Sequence, residues 1–346
     1  MRYQGSPGFQ AGGDRIGVLL VNTGTPDSLD IRDVRRYLAA FLGDPRVIEA
    51  PRLAWWIALH GWILRTRPRA SAAKYRRIWM PEGSPLLVLS RRLRSALAQA
   101  LGQREPTAFA APVVVPMVEI AMLYSQPQVG EALRRLAQSG CRRILVLPLY
   151  PQYSGASTGP VHDQVMRELA RWRRLPELRM VTDYHDDPGY IAALRSGIQA
   201  HWQQHGRPGH LLLSFHGIPQ SYADRGDPYL QQCQRTAQLL TDALGLAQDA
   251  WTLSFQSRVG PTQWLQPYTF ETVMQLPARG IRDLGVVCPG FAIDCLETLE
   301  EIGIENRQAF LQSGGEHFSY VPALNAGAEH ARFLADLITR HCAGWT

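Results

Sequence analysis

A histidine at the exit of an apolar run and three carboxylates spaced along one later segment are the groups in this 346-residue sequence whose type and spacing can do chemistry. His216 follows Leu211–Leu213 and precedes Gly217 and Pro219 in SFHGIP, so a turn holds its backbone where a strand ends. An imidazole there titrates near neutrality and, when neutral, can take a proton or bind a transition metal. Asp294, Glu297 and Glu301 follow the i, i+3, i+7 spacing that puts them on one face of an α-helix. Like charges stacked in this way repel by a few tenths of a kcal/mol per pair. Such a ladder suits passage of a cation or of protons.

The residues alone leave a plainer account open. A lone histidine can be a capping or buried side chain. The carboxylates can form a solvated acidic face, with Asp294 at a helix start, where a cap is favourable.

These groups need elements to position them. Short apolar runs bounded by Gly, Pro or charge predict strands at Ile16–Asn22, Val113–Ala121, Ile144–Leu149, Leu178–Thr182, His210–Phe215, Trp251–Phe255, Leu284–Pro289 and Phe318–Pro322. Helices are predicted at Asp30–Leu42, Ser90–Leu101, Val129–Ser139, Val161–Arg173 and Pro228–Leu244, with a surface loop at Arg104–Thr107. The alternation predicts an α/β protein with parallel sheets covered by helices, divided into two four-stranded units rather than one closed barrel. In open sheets of this kind the functional groups gather beyond the carboxyl ends of the strands. Four exits stand out: NTGTP from Asn22, YPQYS from Tyr150, SFHGIP from Ser214 and PGFAIDCLETLEE from Pro289. No linker composition marks a boundary, which is placed near Tyr150.

The formal net charge is +6, and Lys74 is the single lysine among 36 Lys plus Arg. No zinc finger, RNA-binding or recognition-helix pattern accompanies that charge, so nucleic acid is not an expected partner. Five cysteines at 141, 233, 288, 295 and 342 make no CxxC pair, which fits a reducing cytoplasm. The first fifteen residues lack the apolar run of a signal peptide. Leu53–Leu64 (LAWWIALHGWIL) is apolar apart from His60, is flanked by Arg52 and Arg65, and is shorter than the ~20 residues that cross a bilayer. It reads equally as a core helix and as an exposed helix touching a lipid surface through Trp55, Trp56 and Trp62.

Six segments, in order from Leu19 to Gly303, resemble those of ferrochelatases: LLVNTGTPDS, KYRRIWMPEGSPLLVLS, LPLYPQYSGASTG, LLLSFHGIPQSYADRGDPYLQQC, LSFQSRVGPTQWLQPYT and VVCPGFAIDCLETLEEIG. The resemblance implies two Rossmann-like domains with a porphyrin cleft between them: residues 14–150 with a returning segment 319–346, and residues 151–318. It implies insertion of Fe2+ into protoporphyrin IX, the final step of haem biosynthesis. It assigns His216 and Glu297 as the catalytic and metal-binding pair across the macrocycle, with Asp294 and Glu301 extending an acidic path. Thr23, Arg77, Tyr124, Tyr153, Ser154 and Trp264 match positions near the porphyrin, and Leu53–Leu64 would form part of the lip of the cleft. The expected setting is the cytoplasm, with peripheral contact at the membrane.

Two departures from the family pattern stand out. Leu123 occupies a position where many relatives carry arginine before the tyrosine matching Tyr124. The cysteine spacing fits no ordinary cluster held by four thiolates, so no [2Fe–2S] centre and no cofactor beyond the substrate iron are expected. Insertion of iron into coproporphyrin, chelation of another metal, and a non-catalytic porphyrin or haem carrier remain as alternatives. An NAD(P)-binding enzyme lacks its GxGxxG after the first strand, where NTGTP stands.

Overall fold

The computed structural model describes residues 15–103, 115–260 and 262–345. It contains eight strands: β1 Arg15–Asn22, β2 Met117–Met122, β3 Cys141–Pro148, β4 Glu177–Met180, β5 His210–His216, β6 Trp251–Gln256, β7 Asp283–Val287 and β8 His317–Val321. Every expected strand has its counterpart. The beginning of the predicted Val113–Ala121 strand and the predicted Arg104–Thr107 loop lie outside the described residues.

The strands form two parallel four-stranded sheets, ordered β2-β1-β3-β4 and β6-β5-β7-β8. Strands covered by helices on both faces are apolar almost throughout. Thus β1 is buried from Ile16 onward and β5 is buried from His210 to Phe215.

Local chemistry starts and stops the helices between them. Asp30 caps helix Ile31–Gly43 by accepting from the Arg32 amide at 2.7 Å. Gln128 and Glu131 form a capping box on Val129–Gln138, and Pro85 occupies the first turn of Pro85–Gly102. Tyr229–Leu244 stops at Gly245, whose φ of 64° is the left-handed conformation glycine accepts without steric cost.

The chain divides into two compact units. The described residues of 15–149, 155–182 and 326–345 make the first, and residues 150–154 and 183–325 the second. This corrects the expected domain limits. Strand β4 pairs with β3 and belongs to the first sheet, whereas β8 pairs with β7 and belongs to the second. Pairing between strands distant in sequence decides membership, and the exchange of these two strands leaves no mark in composition.

Helix Ala328–His341 belongs to the first unit, as do the residues after it. Arg179 donates to the carbonyls of His341 at 2.6 Å and Ala343 at 2.8 Å, and its guanidinium lies 4.4 Å from the Trp345 ring centroid. Arg143 donates to the Trp345 carbonyl.

Strand order reverses beside the first strand of each sheet, between β1 and β3 and between β5 and β7. Loops leaving the two strands at such a point diverge to opposite faces and open a crevice. SFHGIP leaves β5 and PGFAIDCLETLEE leaves β7, so His216 and the acidic segment flank the switch point of the second sheet.

Candidate active site

His216 is the last residue of β5, and its Nδ1 lies 2.6 Å from the Gly217 carbonyl. A carbonyl oxygen only accepts, so Nδ1 carries the hydrogen and Nε2 of the neutral ring keeps its lone pair. Trp264 and Phe291 flank the imidazole, with ring centroids 6.5 and 6.4 Å away. The loop after β5 is tied to the loop bearing Trp264: Leu265 N donates to Ile218 O at 3.0 Å and Gln220 N to Gln263 O at 2.9 Å. Trp264 Nε1 donates to Val259 O at 3.0 Å, which fixes the indole.

The acidic segment departs from its expected geometry. Glu297–Asn306 is a π-helix, in which each turn closes on the residue five along, so Glu297 and Glu301 fall within one turn. Asp294 precedes this helix, and the three carboxylates do not share an α-helical stripe.

Their surroundings differ accordingly. Asp294 is buried and its carboxylate is taken up: Oδ1 accepts from Thr298 Oγ1 at 2.8 Å and from the Tyr320 hydroxyl, and Oδ2 accepts from Asn325 Nδ2 at 2.7 Å. This is a structural anchor more than an open step in a path. Glu301 accepts from Ser257 N at 2.8 Å and from Ser257 Oγ at 2.5 Å. Burial pushes the Glu301 carboxyl above the ordinary range, while the Ser257 bonds and, when its ring is protonated, the nearby His216 pull it down and Glu297 adds to the rise. His216, Glu297 and Glu301 thus share one electrostatic environment within the second unit.

Gln256, at the end of β6, ties these parts together. Its Nε2 donates to the Glu297 carbonyl at 2.7 Å, its Oε1 accepts from Ser214 Oγ at 2.7 Å, and its backbone carbonyl accepts from Gly217 N at 2.8 Å.

The other expected residues are distributed over both units. Tyr153 and Ser154 belong to the second, where Tyr153 N donates to Gln232 Oε1 at 2.6 Å and Ser154 Oγ to Asp227 Oδ2 at 2.8 Å. Thr23, Arg77 and Tyr124 belong to the first. Thr23 follows β1 and its amide donates to Asn22 Oδ1 at 2.8 Å. The Tyr124 hydroxyl donates to Asp44 Oδ2 at 3.0 Å, and Arg77 is an exposed residue in the last turn of Leu64–Ile78. Leu123 is buried, and its carbonyl accepts from Gln164 Nε2 at 3.1 Å.

The apolar segment Leu53–Leu64 is helical, passing from an α-helix at Arg52–Ala58 through a π-helical turn at Leu59–Ile63. Leu53, Trp56, Ile57 and Trp62 are 75, 59, 58 and 72% exposed, so this is not a core helix. Trp55 faces the other way: its Nε1 donates to the Leu42 carbonyl at 2.7 Å and its ring packs with Leu42, Leu59 and Leu64. Its expected place on the outer lip is therefore corrected to that of an inward anchor. Among the described residues no helix is long and apolar enough to cross a membrane. All five cysteines are buried and free.

Gln256, Ser257, Asn325 and Asp227 were not singled out from the sequence. Gln256 ends β6, Ser257 follows it and Asn325 lies beyond β8, two strand exits that carry no histidine or acidic cluster to draw attention.

The sequence model of the ferrochelatase family matches residues 15–342. The chain is 51% identical to the ferrochelatase of Thioalkalivibrio sulfidiphilus over all of this chain and 92% of that one. It is 50% identical to the ferrochelatase of Methylococcus capsulatus over 95% of this chain and 97% of that one. Among solved structures it is similar to SirB from Bacillus subtilis with Fe3+, at a TM-score of 0.54 and 12% identity over 95% of this chain and 96% of that one. It is also similar to CbiX, the terminal enzyme for biosynthesis of sirohaem in denitrifying bacteria, at 0.50 and 15% over 94 and 98%. The structural likenesses speak to the fold alone, whereas the family match and the identities over the full chain extend to the whole molecule: the chain belongs to the ferrochelatase family.

Proposed function

We propose that His216 and Glu297 are the residues through which this enzyme inserts Fe2+ into protoporphyrin, the ferrochelatase reaction of haem synthesis. The observation that carries the reading is the bond from His216 Nδ1 to the Gly217 carbonyl, which leaves Nε2 with a lone pair for an incoming proton. Metalation replaces two inner N–H protons with one cation, so the site needs a base and an anionic group for the metal. A neutral imidazole between Trp264 and Phe291 suits the first role. Glu297, beside Glu301, suits the second, and carboxylate with imidazole is an appropriate donor set for Fe2+. The aromatic and apolar neighbours of His216 also favour a bent macrocycle, whose distortion draws on binding energy from remote parts of the ring.

Thr23, Tyr124, Tyr153, Ser154 and Trp264 are proposed porphyrin contacts, and Arg77 a propionate partner, since guanidinium pairs well with carboxylate. No cluster is part of this reading: featureless visible absorbance of haem-free protein agrees with it, and broad cluster bands would contradict it. The exposed Leu53, Trp56, Ile57 and Trp62, with Arg52 and Arg65 beside them, support peripheral contact with an anionic membrane on the cytoplasmic side.

Anaerobic incubation with Fe2+ and protoporphyrin IX should convert the free-base spectrum to that of haem, and coproporphyrin III should turn over more slowly. His216→Ala should reduce metalation by on the order of 10²–10⁴ while leaving porphyrin binding intact. Undiminished turnover in that variant would remove His216 from the chemistry. A wild-type protein that binds porphyrin but never metalates it would favour a carrier.

A further inference from the structure

Among the described residues, two other than glycine adopt a positive φ: Ser257 at 66° and Asn325 at 48°. Side chains make the left-handed backbone unfavourable, more so for serine than for asparagine, and such residues persist where their surroundings require them. They lie beyond β6 and β8, the two outer strands of the second sheet, and both turn to the acidic segment that follows β7.

Their bonds are specific. Ser257 uses its amide and its hydroxyl on the two oxygens of Glu301, at 2.8 and 2.5 Å. Asn325 donates Nδ2 to Asp294 Oδ2 at 2.7 Å, accepts from Asp294 N at 2.9 Å, and donates its own amide to Ala292 O at 3.0 Å. An ordinary extended or right-handed residue at either place would carry its amide and side chain in other directions.

We propose that Ser257 and Asn325 are positioning residues that pin the two ends of the acidic segment from opposite edges of the sheet, so that Glu297 between them meets the metal at a fixed reach. The pins act through Glu301 and Asp294, and the proposal rests on the metalation reading of this site. Glu297 itself is held through its backbone by Gln256 and its side chain bonds to the Cys295 thiol, so the two anchored ends fix the backbone from which its carboxylate projects.

The test separates a positioning role from a merely structural one. Glycine keeps the left-handed backbone and removes the side-chain bonds, so Ser257→Gly and Asn325→Gly isolate the pins. Each should raise the KM for Fe2+ by about tenfold, the usual effect of losing an outer-shell partner. The porphyrin dissociation constant, read by fluorescence quenching, should stay within about twofold of wild type, as follows for a group that touches only the metal side. Ser257→Asn tolerates the same backbone and supplies an amide donor, and it should restore most of the loss.

A wild-type KM for Fe2+ in both glycine variants would overturn the proposal. An equal weakening of metal and porphyrin would also do so, because it would mark a general loosening of the fold. Should Asn325→Gly fail to fold, the Ser257→Gly and Ser257→Asn pair decides alone. Wild-type protein without any turnover would sink the metalation reading instead, an outcome distinct from all of these.

Discussion

Gly217 lies beneath the indole of Trp264, so close that a Cβ at residue 217 would sit 3.2 Å from Trp264 Cε3 and 3.0 Å from the Gln256 carbonyl oxygen. That carbonyl accepts from the Gly217 amide and cannot retreat without losing the bond. Gly217→Ala should therefore displace the indole and, with it, the backbone that holds His216. We expect a loss of about 1–3 kcal/mol in urea unfolding, the range for an added methyl in a packed site. Turnover should fall by at least about tenfold if the imidazole shifts with the loop. Wild-type stability and turnover would show that the loop absorbs the methyl and that Gly217 is not required.

Glu301 predicts a pH dependence of stability. Burial holds its carboxyl above the ordinary value of 4.5 in the folded protein. The folded state thus binds this proton more tightly than the unfolded chain does. The stabilisation is fully present below the unfolded value and is lost as pH rises through the folded one. Glu301→Gln cannot titrate, so the melting temperature of wild type should fall relative to that variant over this window. Melting curves from about pH 4 to about pH 8 check it. A constant difference between the two proteins would contradict the raised carboxyl.

The three tryptophans of residues 53–64 should separate by role. Trp56→Ala with Trp62→Ala should abolish co-sedimentation with anionic vesicles while changing stability by no more than about 0.5 kcal/mol, as expected for exposed side chains. Trp55→Phe should do the reverse, keeping vesicle binding and costing about 1 kcal/mol through the lost bond to the Leu42 carbonyl. Absence of vesicle binding by wild-type protein at low salt would remove the membrane contact altogether.

Arg179 should fasten the segment after helix Ala328–His341. Arg179→Ala removes two donations to carbonyls and the contact with the Trp345 ring, and should cost about 2 kcal/mol in chemical unfolding. Lysine offers no planar fork and should recover little of it. A change below about 0.5 kcal/mol would mean that this fastening contributes nothing beyond an ordinary surface contact.

The inner strands β1, β3, β5 and β7 were legible because parallel strands buried on both faces read as short continuous apolar runs, whereas the half-exposed β4 and β8 at the sheet edges were legible as short stretches bounded by Pro, Gly or charge. The exits carrying His216 and Glu297 were legible because chemistry in open sheets gathers at strand ends. Three features were hidden for physical reasons. The π-helix from Glu297 adds residues to each turn without changing composition, so an α-helical spacing aligned Asp294 with carboxylates that it does not join. The left-handed backbone of Ser257 carries no glycine or asparagine signal. The exchange of β4 and β8 between sheets depends on pairing across long stretches of chain, and the five residues 150–154 that lead between the units look like any strand exit.

The first unit's three-part make-up bears on the order in which the protein is made. Its sheet is complete once β4 leaves the ribosome, yet helix Ala328–His341, with core residues such as Phe333, Leu334 and Ile338, emerges only after the whole of the second unit. The half begun first is therefore finished last. During that interval helix Pro85–Gly102, on which Ala328–His341 packs, must wait with apolar surface uncovered, within reach of chaperones, and a premature stop codon within Ala328–His341 would harm the unit whose synthesis began before the other.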